Sequence, residues 1–536
     1  MEFKTLPEEE RVLFKEDALK DLPPFESKDG KADPIEEVGD CFEQRIQYVT
    51  AEEYRTFLER ISSAGWETMI VRTEPINGIV YSSIYRKDGL LLSIVYFDFP
   101  ADNPYGLRPK LYWTVGLEPE YRTFQAGDLF DDVPIPAVGE ARETGEGNFT
   151  KTIPCALRAD YEKLLSALIT AGWEKRYDNG AGLGNALFTA HFTRDRRTLS
   201  VVFAAPSRKI FVTVGRDQAP LSPFLFGDPS VQKSILPGQK TSLHMLELWH
   251  FGNSFVIRLK NGHFLVSDGG LRYETPYLLD YLETLVPAGE KPVIEAWLIS
   301  HMHADHCGVL IEMGLNESWG DRIVVEGVYI SVPSRLMMTL DPGAPGIERL
   351  IHRFSKYVRN SAGEPVPFYR LRTGERYGFS DITMDVLLAQ ELLPYEDCTG
   401  DLNDTTTWLL FTIEGQKVFI AGDGDKGGMR ILMDNYTPEF MRMDVMSLLH
   451  HGYNTRDWFT DYCKAKTVLF TCAGSGPSQK KAQNEYLKTK VDEWLPWGDG
   501  TKVLTFPYRV GESQTLPHFD WKYNQGETRP GMPLGY

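Results

Sequence analysis

His301-Met302-His303-Ala304-Asp305-His306, the run HMHADH at 301–306, decides how the rest of this chain is read. Four of its six residues are His or Asp, in a chain with 11 histidines in all. Imidazole suits zinc and the neighbouring transition metals, and a carboxylate adds a hard oxygen ligand. Alternation lets His301 and His303 point one way while Asp305 and His306 reach a second ion nearby. The preceding run EAWLIS (295–300) is short and apolar, and a buried strand that delivers polar residues at its C-terminal end is where α/β enzymes place their sites. CGVLIEMGL (307–315) then reads as the start of a helix that braces the loop. The competing reading is a chance polar loop after a strand, and the density of ligand-type residues argues against it.

HxHxDH after a buried strand resembles the signature of the metallo-β-lactamase superfamily, and other parts of that pattern come in order. HFLVSDGG (263–270) looks like the family's early strand, with Asp268 beneath the metal loop. KVFIAGDGD (417–425) looks like the strand that ends in the bridging aspartate, here Asp423, although GDGD also reads as a plain turn. DVMSLLHHGYN (444–454) looks like the strand that ends in the last histidine. Adjacent strand residues face opposite ways, so one of His450 and His451 faces the metal and the other a neighbour or substrate; His451 is preferred as the ligand. The HHG form, the FGNS turn at 251–254 and LNDTTTWLLF (402–411) are most similar to the hydrolase domains of DNA-uptake channel proteins and phosphorylcholine esterases. The resemblance covers about 241–515.

It implies an αββα sandwich holding two divalent ions, zinc first and manganese or iron as alternatives. His301 and His303 hold one ion, Asp305, His306 and His451 the other, and Asp423 bridges. Asp305 could also orient the nucleophile, and Tyr453 and Asn454 are candidates for polarising a substrate group. One departure is clear. The family supplies a further histidine some twenty residues before the bridging aspartate, yet no histidine lies between His352 and His450. Asn403 and Asp404 occupy that place, and either could bind metal directly or through water. His352 lies in a helical pattern and reads as an ordinary helix residue. His191, His244, His263 and His518 have no partner pattern, and His250 before the FGNS turn is left unassigned.

The N-terminal half has a different texture. VTAEEYRTFLERISSAGWE (49–67) and LRADYEKLLSALITAGWEK (157–175) share Tyr54/Tyr161, Ala64/Ala171, Gly65/Gly172 and Trp66/Trp173 at a constant offset. Each helical stretch stops at its Ala-Gly pair, runs on into alternating strand-like segments and ends in a TVG strand. The expectation is a charged, proline-rich arm at 1–40 and two repeated α+β modules, 41–135 and 150–220, packed as a pseudo-symmetric pair. A Pro/Gly linker at 221–240 then leads to a hydrolase domain at 241–536. The fold class is α/β. Trp66 and Trp173 read as core anchors, and the modules are expected to cap the site or to mediate a homodimer.

Composition bounds the partners. With 57 basic and 75 acidic side chains in 536 residues the net charge is −18, which repels duplex nucleic acid and anionic membranes. The six cysteines include no CxxC pair and fit a reducing compartment. The charged start MEFKTLPEEE is unlike a signal peptide, and no run approaches a membrane span, so the expected location is cytoplasmic. The expected activity is hydrolysis of a small-molecule substrate, a phosphodiester or related phosphate ester. The alternatives are lactone, ester or lactam hydrolysis at the same site, or a binding protein with a vestigial site. A redox role is weaker: flavodiiron relatives carry Glu where this chain has His303, and no flavin module comes after it.

Overall fold

A computed structural model describes residues 15–38, 41–71, 80–98, 108–117, 129–136, 141–145, 147–215, 220–225, 235–248, 252–333, 353–392, 402–454, 456–472 and 481–517. His250, His352 and His518 fall outside them, as do parts of the expected arm and linker. Where described, the chain is a mixed α/β structure with four sheets. It divides into two compact units, one holding Glu2–Phe124 and the other Gln125–Arg335 with Leu350–Gln525.

In the first unit the helix Ala51–Ser63 begins at a capping box. Thr50 accepts from the Glu53 N–H, and the Glu53 carboxylate accepts from the Thr50 N–H. Tyr54, Phe57 and Ile61 form its buried stripe, and Gly65 at φ +84° ends it in the left-handed region. The strands Cys41–Gln47, Lys110–Leu117, Leu90–Phe97, Val80–Lys87 and Glu67–Val71 pair antiparallel in that spatial order. Trp66 is buried in the same core as Phe42, Trp113 and Tyr96.

The segment 148–215 builds the same order again. Strands Asn148–Ile153, Lys209–Gly215, Arg197–Ala204, Leu187–Arg194 and Glu174–Asp178 pair antiparallel, with the helix Arg158–Thr170 after the first of them. Tyr161, Leu164 and Leu168 are its buried stripe, and Gly172 at φ +88° ends it. Both copies turn their long hairpin with two residues at positive φ, Asp88-Gly89 and Asp195-Arg196, which suits the right-handed twist of the strands. Trp173 is buried like Trp66.

The linker expected at 221–240 does not separate this second copy from the C-terminal sheets. Leu187, Val202 and Ala204 share one core with Leu388, Trp408, Leu410, Phe419 and Phe470. Polar contacts reinforce it: Thr189 Oγ1 donates to the Thr373 carbonyl (2.9 Å), the Arg376 N–H to Tyr177 Oη (2.9 Å), and His191 Nε2 lies 3.0 Å from Glu375 Oε1. A punctuated stretch in the sequence marks an irregular connection, while compactness is decided by which apolar faces meet.

The C-terminal part of this unit carries two further sheets. In one, Phe264–Asp268, Val293–Ile299, Val328–Ile330 and Phe368–Arg370 run parallel. In the other, Gln416–Ile420, Val445–Ser447, Thr467–Phe470 and Glu493–Pro496 do the same. Phe264–Asp268, Val328–Ile330, Val445–Ser447 and Thr467–Phe470 are buried at every position and Val293–Ile299 at all but its first, as strands covered on both faces must be. The sheets touch where their strands end: the Thr407 N–H donates to the Ser300 carbonyl, 2.8 Å. Two sheets whose strands alternate with helices along the chain make this part mixed α/β. Among the described residues no helix is long and apolar enough to cross a membrane.

Candidate metal centre

Every side chain of the candidate site comes at or just after the C-terminal end of a parallel strand. Asp268 closes Phe264–Asp268, and the loop 300–306 follows Val293–Ile299. Asp423 follows Gln416–Ile420, His450 and His451 follow Val445–Ser447, and Thr471 follows Thr467–Phe470. The ends of parallel strands converge their side chains on one crevice.

The helix Ala304–Leu315 starts inside the histidine motif. His303 is its N-cap residue, and the His306 and Cys307 N–H groups donate back to the His303 carbonyl at 3.1 and 3.0 Å. Asp305 and His306 therefore stand in the first helical turn, where the helix dipole favours a carboxylate. Asn253 of the FGNS segment reaches this loop: its N–H donates to the Asp305 carbonyl, 3.3 Å. Gly422, at φ +47°, lets the Asp423 loop pass Ser300, whose Oγ would stand 2.7 Å from any Cβ there.

Asp305, His306, Asp423 and His451, all buried, bring their ligand atoms within 4.8 Å of one another. His306 Nε2 is 3.2 Å from Asp423 Oδ2 and 3.6 Å from Asp305 Oδ2; His451 Nε2 is 3.4 and 3.3 Å from the same two oxygens. These four N···O separations are close to the roughly 3.4 Å between neighbouring ligand atoms around a tetrahedral zinc with bonds of about 2.1 Å. His306 Nε2 and Asp423 Oδ1 are buried with no hydrogen-bond partner among the described residues. Buried polar atoms of this kind call for a ligand.

Electrostatics agree with the geometry. Burial alone would raise the Asp423 carboxyl, but His306, His451 and His450 pull it well below the usual range; Asp305 is lowered likewise by His306 and His451 against its own burial. Burial depresses His306 and His451, yet Asp423 and Asp305 overcome it, lifting His306 well above its ordinary value and His451 to about 9. Two buried carboxylates thus draw two protons onto two imidazoles, and a divalent cation brings the same two charges. The residues fit a metal ion. His301, by contrast, is held well below its usual value by burial and by the neighbouring His306 and His303.

The remaining predicted residues divide clearly. His301 Nε2 and His303 Nδ1 stand 3.0 Å apart, and His301 Nε2 is 4.0 Å from Asp423 Oδ2. His450 and His451 are not strand residues, contrary to expectation. The strand stops at Ser447, and both histidines adopt left-handed backbone, φ/ψ 49°/52° and 49°/28°. That turns both imidazoles to Asp423, His450 Nε2 lying 3.7 Å from Oδ2. Asn403 and Asp404 sit in the buried turn Leu402–Thr405, and Asp404 is not part of the four-residue cluster. Tyr453 is exposed, with its ring 5.2 Å from that of His450. Asn454 donates to the Asp423 carbonyl (3.2 Å), so its amide braces the bridging loop. His191, His244 and His263 have partners elsewhere, in Glu375, Tyr281 and Glu295.

Three supporting residues had no metal-ligand signature of their own. Ser300 Oγ lies 2.9 Å from Asp268 Oδ2 and 3.1 Å from His301 Nδ1. Thr471 Oγ1 lies 3.1 Å from His451 Nδ1. The phenol of Tyr273 is raised by burial and then by the charges of Glu274 and Asp305. Ser300 and Thr471 each come after an apolar run, and a hydroxyl just past a buried parallel strand is the one signal that could have marked them.

Among solved structures, the chain is similar to one described as a metal-dependent hydrolase of the β-lactamase superfamily. The identity is 14% and the TM-score 0.29, over 48% of this chain and 95% of that one. No family model matches the chain. No curated protein matches it.

Proposed function

We propose that this chain is a hydrolase that uses two divalent cations, zinc in the first place, to cleave a phosphodiester or related phosphate ester. The observation that carries the reading is the buried cluster of Asp305, His306, Asp423 and His451, whose spacing suits a cation and whose Asp423 Oδ1 is left for a second. Asp305, His306 and His451 would hold one cation, His301 and His303 the other, with Asp423 between them. When bound, such a pair lowers the pKa of water and polarises a substrate oxygen.

The chain's own groups do the rest. Asp268 takes the Nδ1 proton of His306, 2.8 Å away, and so aims Nε2 into the cluster. Asn454 holds the Asp423 loop through its carbonyl. Tyr453, exposed beside His450, would donate its phenol to a substrate oxygen. Lactone, ester or lactam hydrolysis would use the same groups, so the substrate decides between the two. With zinc-loaded protein, bis-p-nitrophenyl phosphate should turn over faster than nitrocefin or a simple lactone, and Asp423→Ala should abolish turnover while the chain stays folded. Faster lactam or lactone cleavage would transfer the reading to acyl chemistry. A chain that takes up no zinc or manganese would be a binding protein with a vestigial site.

A further inference from the structure

The four-residue cluster is complete with Asp305, His306, Asp423 and His451, so His301 and His303 cannot belong to the same tetrahedron. Their nitrogens, 3.0 Å apart, form an edge of a second one, and Asp423 lies at 4.0 Å from His301. Two imidazoles and a shared carboxylate leave that second position a corner short.

We propose that His450 fills this corner, giving the second cation position three imidazoles and the carboxylate of Asp423, in place of the Asn403 or Asp404 ligand expected from the sequence. The inference rests on the two-cation reading above. Two observations lead to it. His450 Nε2 stands 3.7 Å from Asp423 Oδ2, slightly closer than His301 does. His450 is nonetheless not a member of the four-residue cluster to which Asp423 belongs, so its nitrogen is not close to all of those groups.

The backbone supplies the second. Left-handed conformation is disfavoured for residues with a Cβ, and two in succession are rarer still. The turn is held by the His450 N–H to the Gly422 carbonyl (3.1 Å) and the Tyr453 N–H to the His450 carbonyl (2.7 Å). An extended chain would send these two rings to opposite faces. The strained turn brings both rings to a single carboxylate, His450 at 3.7 Å and His451 at 3.4 Å from Asp423 Oδ2. Imidazole is also a better zinc ligand than an amide oxygen.

Zinc titration of the metal-free full-length chain against a competing chelator, with cobalt absorption as a second readout, tests the assignment. The wild type should bind two ions per chain. His450→Asn keeps a residue that tolerates the left-handed conformation. It should bind one ion as the wild type does and the other at least on the order of 10-fold more weakly. Circular dichroism of its metal-free form should match that of the wild type, so that a weakened ion is not the result of unfolding. Asn403→Ala and Asp404→Ala should keep both ions. Two ions held at wild-type affinity by His450→Asn, even with turnover lost, would overturn the assignment and make His450 a substrate-facing group. Loss of an ion in Asn403→Ala or Asp404→Ala alone would also overturn it. A wild-type chain that binds fewer than two ions would instead sink the reading beneath it.

Discussion

Asp268 Oδ2 lies 2.8 Å from His306 Nδ1, and its Oδ1 accepts the Ser300 N–H at 2.8 Å, so one buried carboxylate ties the end of one strand to the loop after the next. Asp268 itself is at φ +60°, and its carbonyl accepts from Trp297 Nε1 at 3.0 Å. Both rings tied to it, His306 and Trp297, are fully buried, so neither can turn to water if Asp268 changes. Asp268→Asn should therefore act at a distance from the ions it never touches. Zinc affinity at the His306 position should fall on the order of 10–100-fold. Chelator competition on the purified variant is the measurement, and unchanged affinity would show that His306 is aimed without Asp268.

Protonation gives a second expectation with a definite sign. In the metal-free chain His451 is raised from 6.5 to about 9. Its contribution to stability is present in full below pH 6.5 and is lost as pH rises through 9. The shift corresponds to about 3 kcal/mol at most. Asp423 and Asp305 are lowered, so theirs is present above about pH 4 and lost as pH falls further. Metal-free protein should thus melt highest near pH 5–6 and lower at pH 9.5. Zinc affinity should move the other way, rising from pH 6 to 8, because His306 and His451 must give up their protons to bind. Melting curves with and without zinc across that range check both signs, and His451→Gln should flatten the alkaline fall.

A third expectation comes from the shared core. Residues 125–536 should purify folded and take up zinc, whereas 221–536 should aggregate. Removing the second copy uncovers the apolar faces that meet Leu187, Val202 and Ala204, and strips the buried Glu375 of His191. A buried carboxylate deprived of such a partner costs on the order of 1–3 kcal/mol or more. Circular dichroism and gel filtration of the two fragments decide it; a well-folded 221–536 would show that the contact is incidental.

Legibility in the sequence differs by residue. HMHADH could be read because four ligand-type side chains within six residues leave few other uses, and Asp268, Asp423 and His451 could be read as polar residues at the ends of apolar runs. The Ala-Gly-Trp repeat was legible for a similar reason: Gly65 and Gly172 stop helices whose apolar faces need a cover. The chain path at His450 was not legible, because alternation assumes a strand and nothing local announces two left-handed residues in succession. The grouping of 148–215 with the C-terminal sheets was hidden as well. It depends on which apolar faces meet, whereas the proline and glycine at 221–240 report only on the local path of the chain.

Thr471 gives the last expectation. Its hydroxyl lies 3.1 Å from His451 Nδ1, and it is fully buried beyond the strand Thr467–Phe470. An Nε2 aimed at Asp305 and Asp423 needs the proton on Nδ1, and the Thr471 oxygen can accept it. Thr471→Val keeps the shape and the packing but removes the acceptor, leaving a buried N–H unsatisfied. The ring then gains by swinging or by changing tautomer, and either move takes Nε2 off the cluster. Zinc affinity at the Asp305/His306/His451 position should fall at least several-fold, on the order of the 10–100-fold seen when such supports are lost. Thr471→Ser restores the oxygen without the methyl and should recover most of it. A purely structural threonine would give the reverse order, with the isosteric valine tolerated and the smaller serine costly, so the ranking of the two variants in a chelator titration separates the roles.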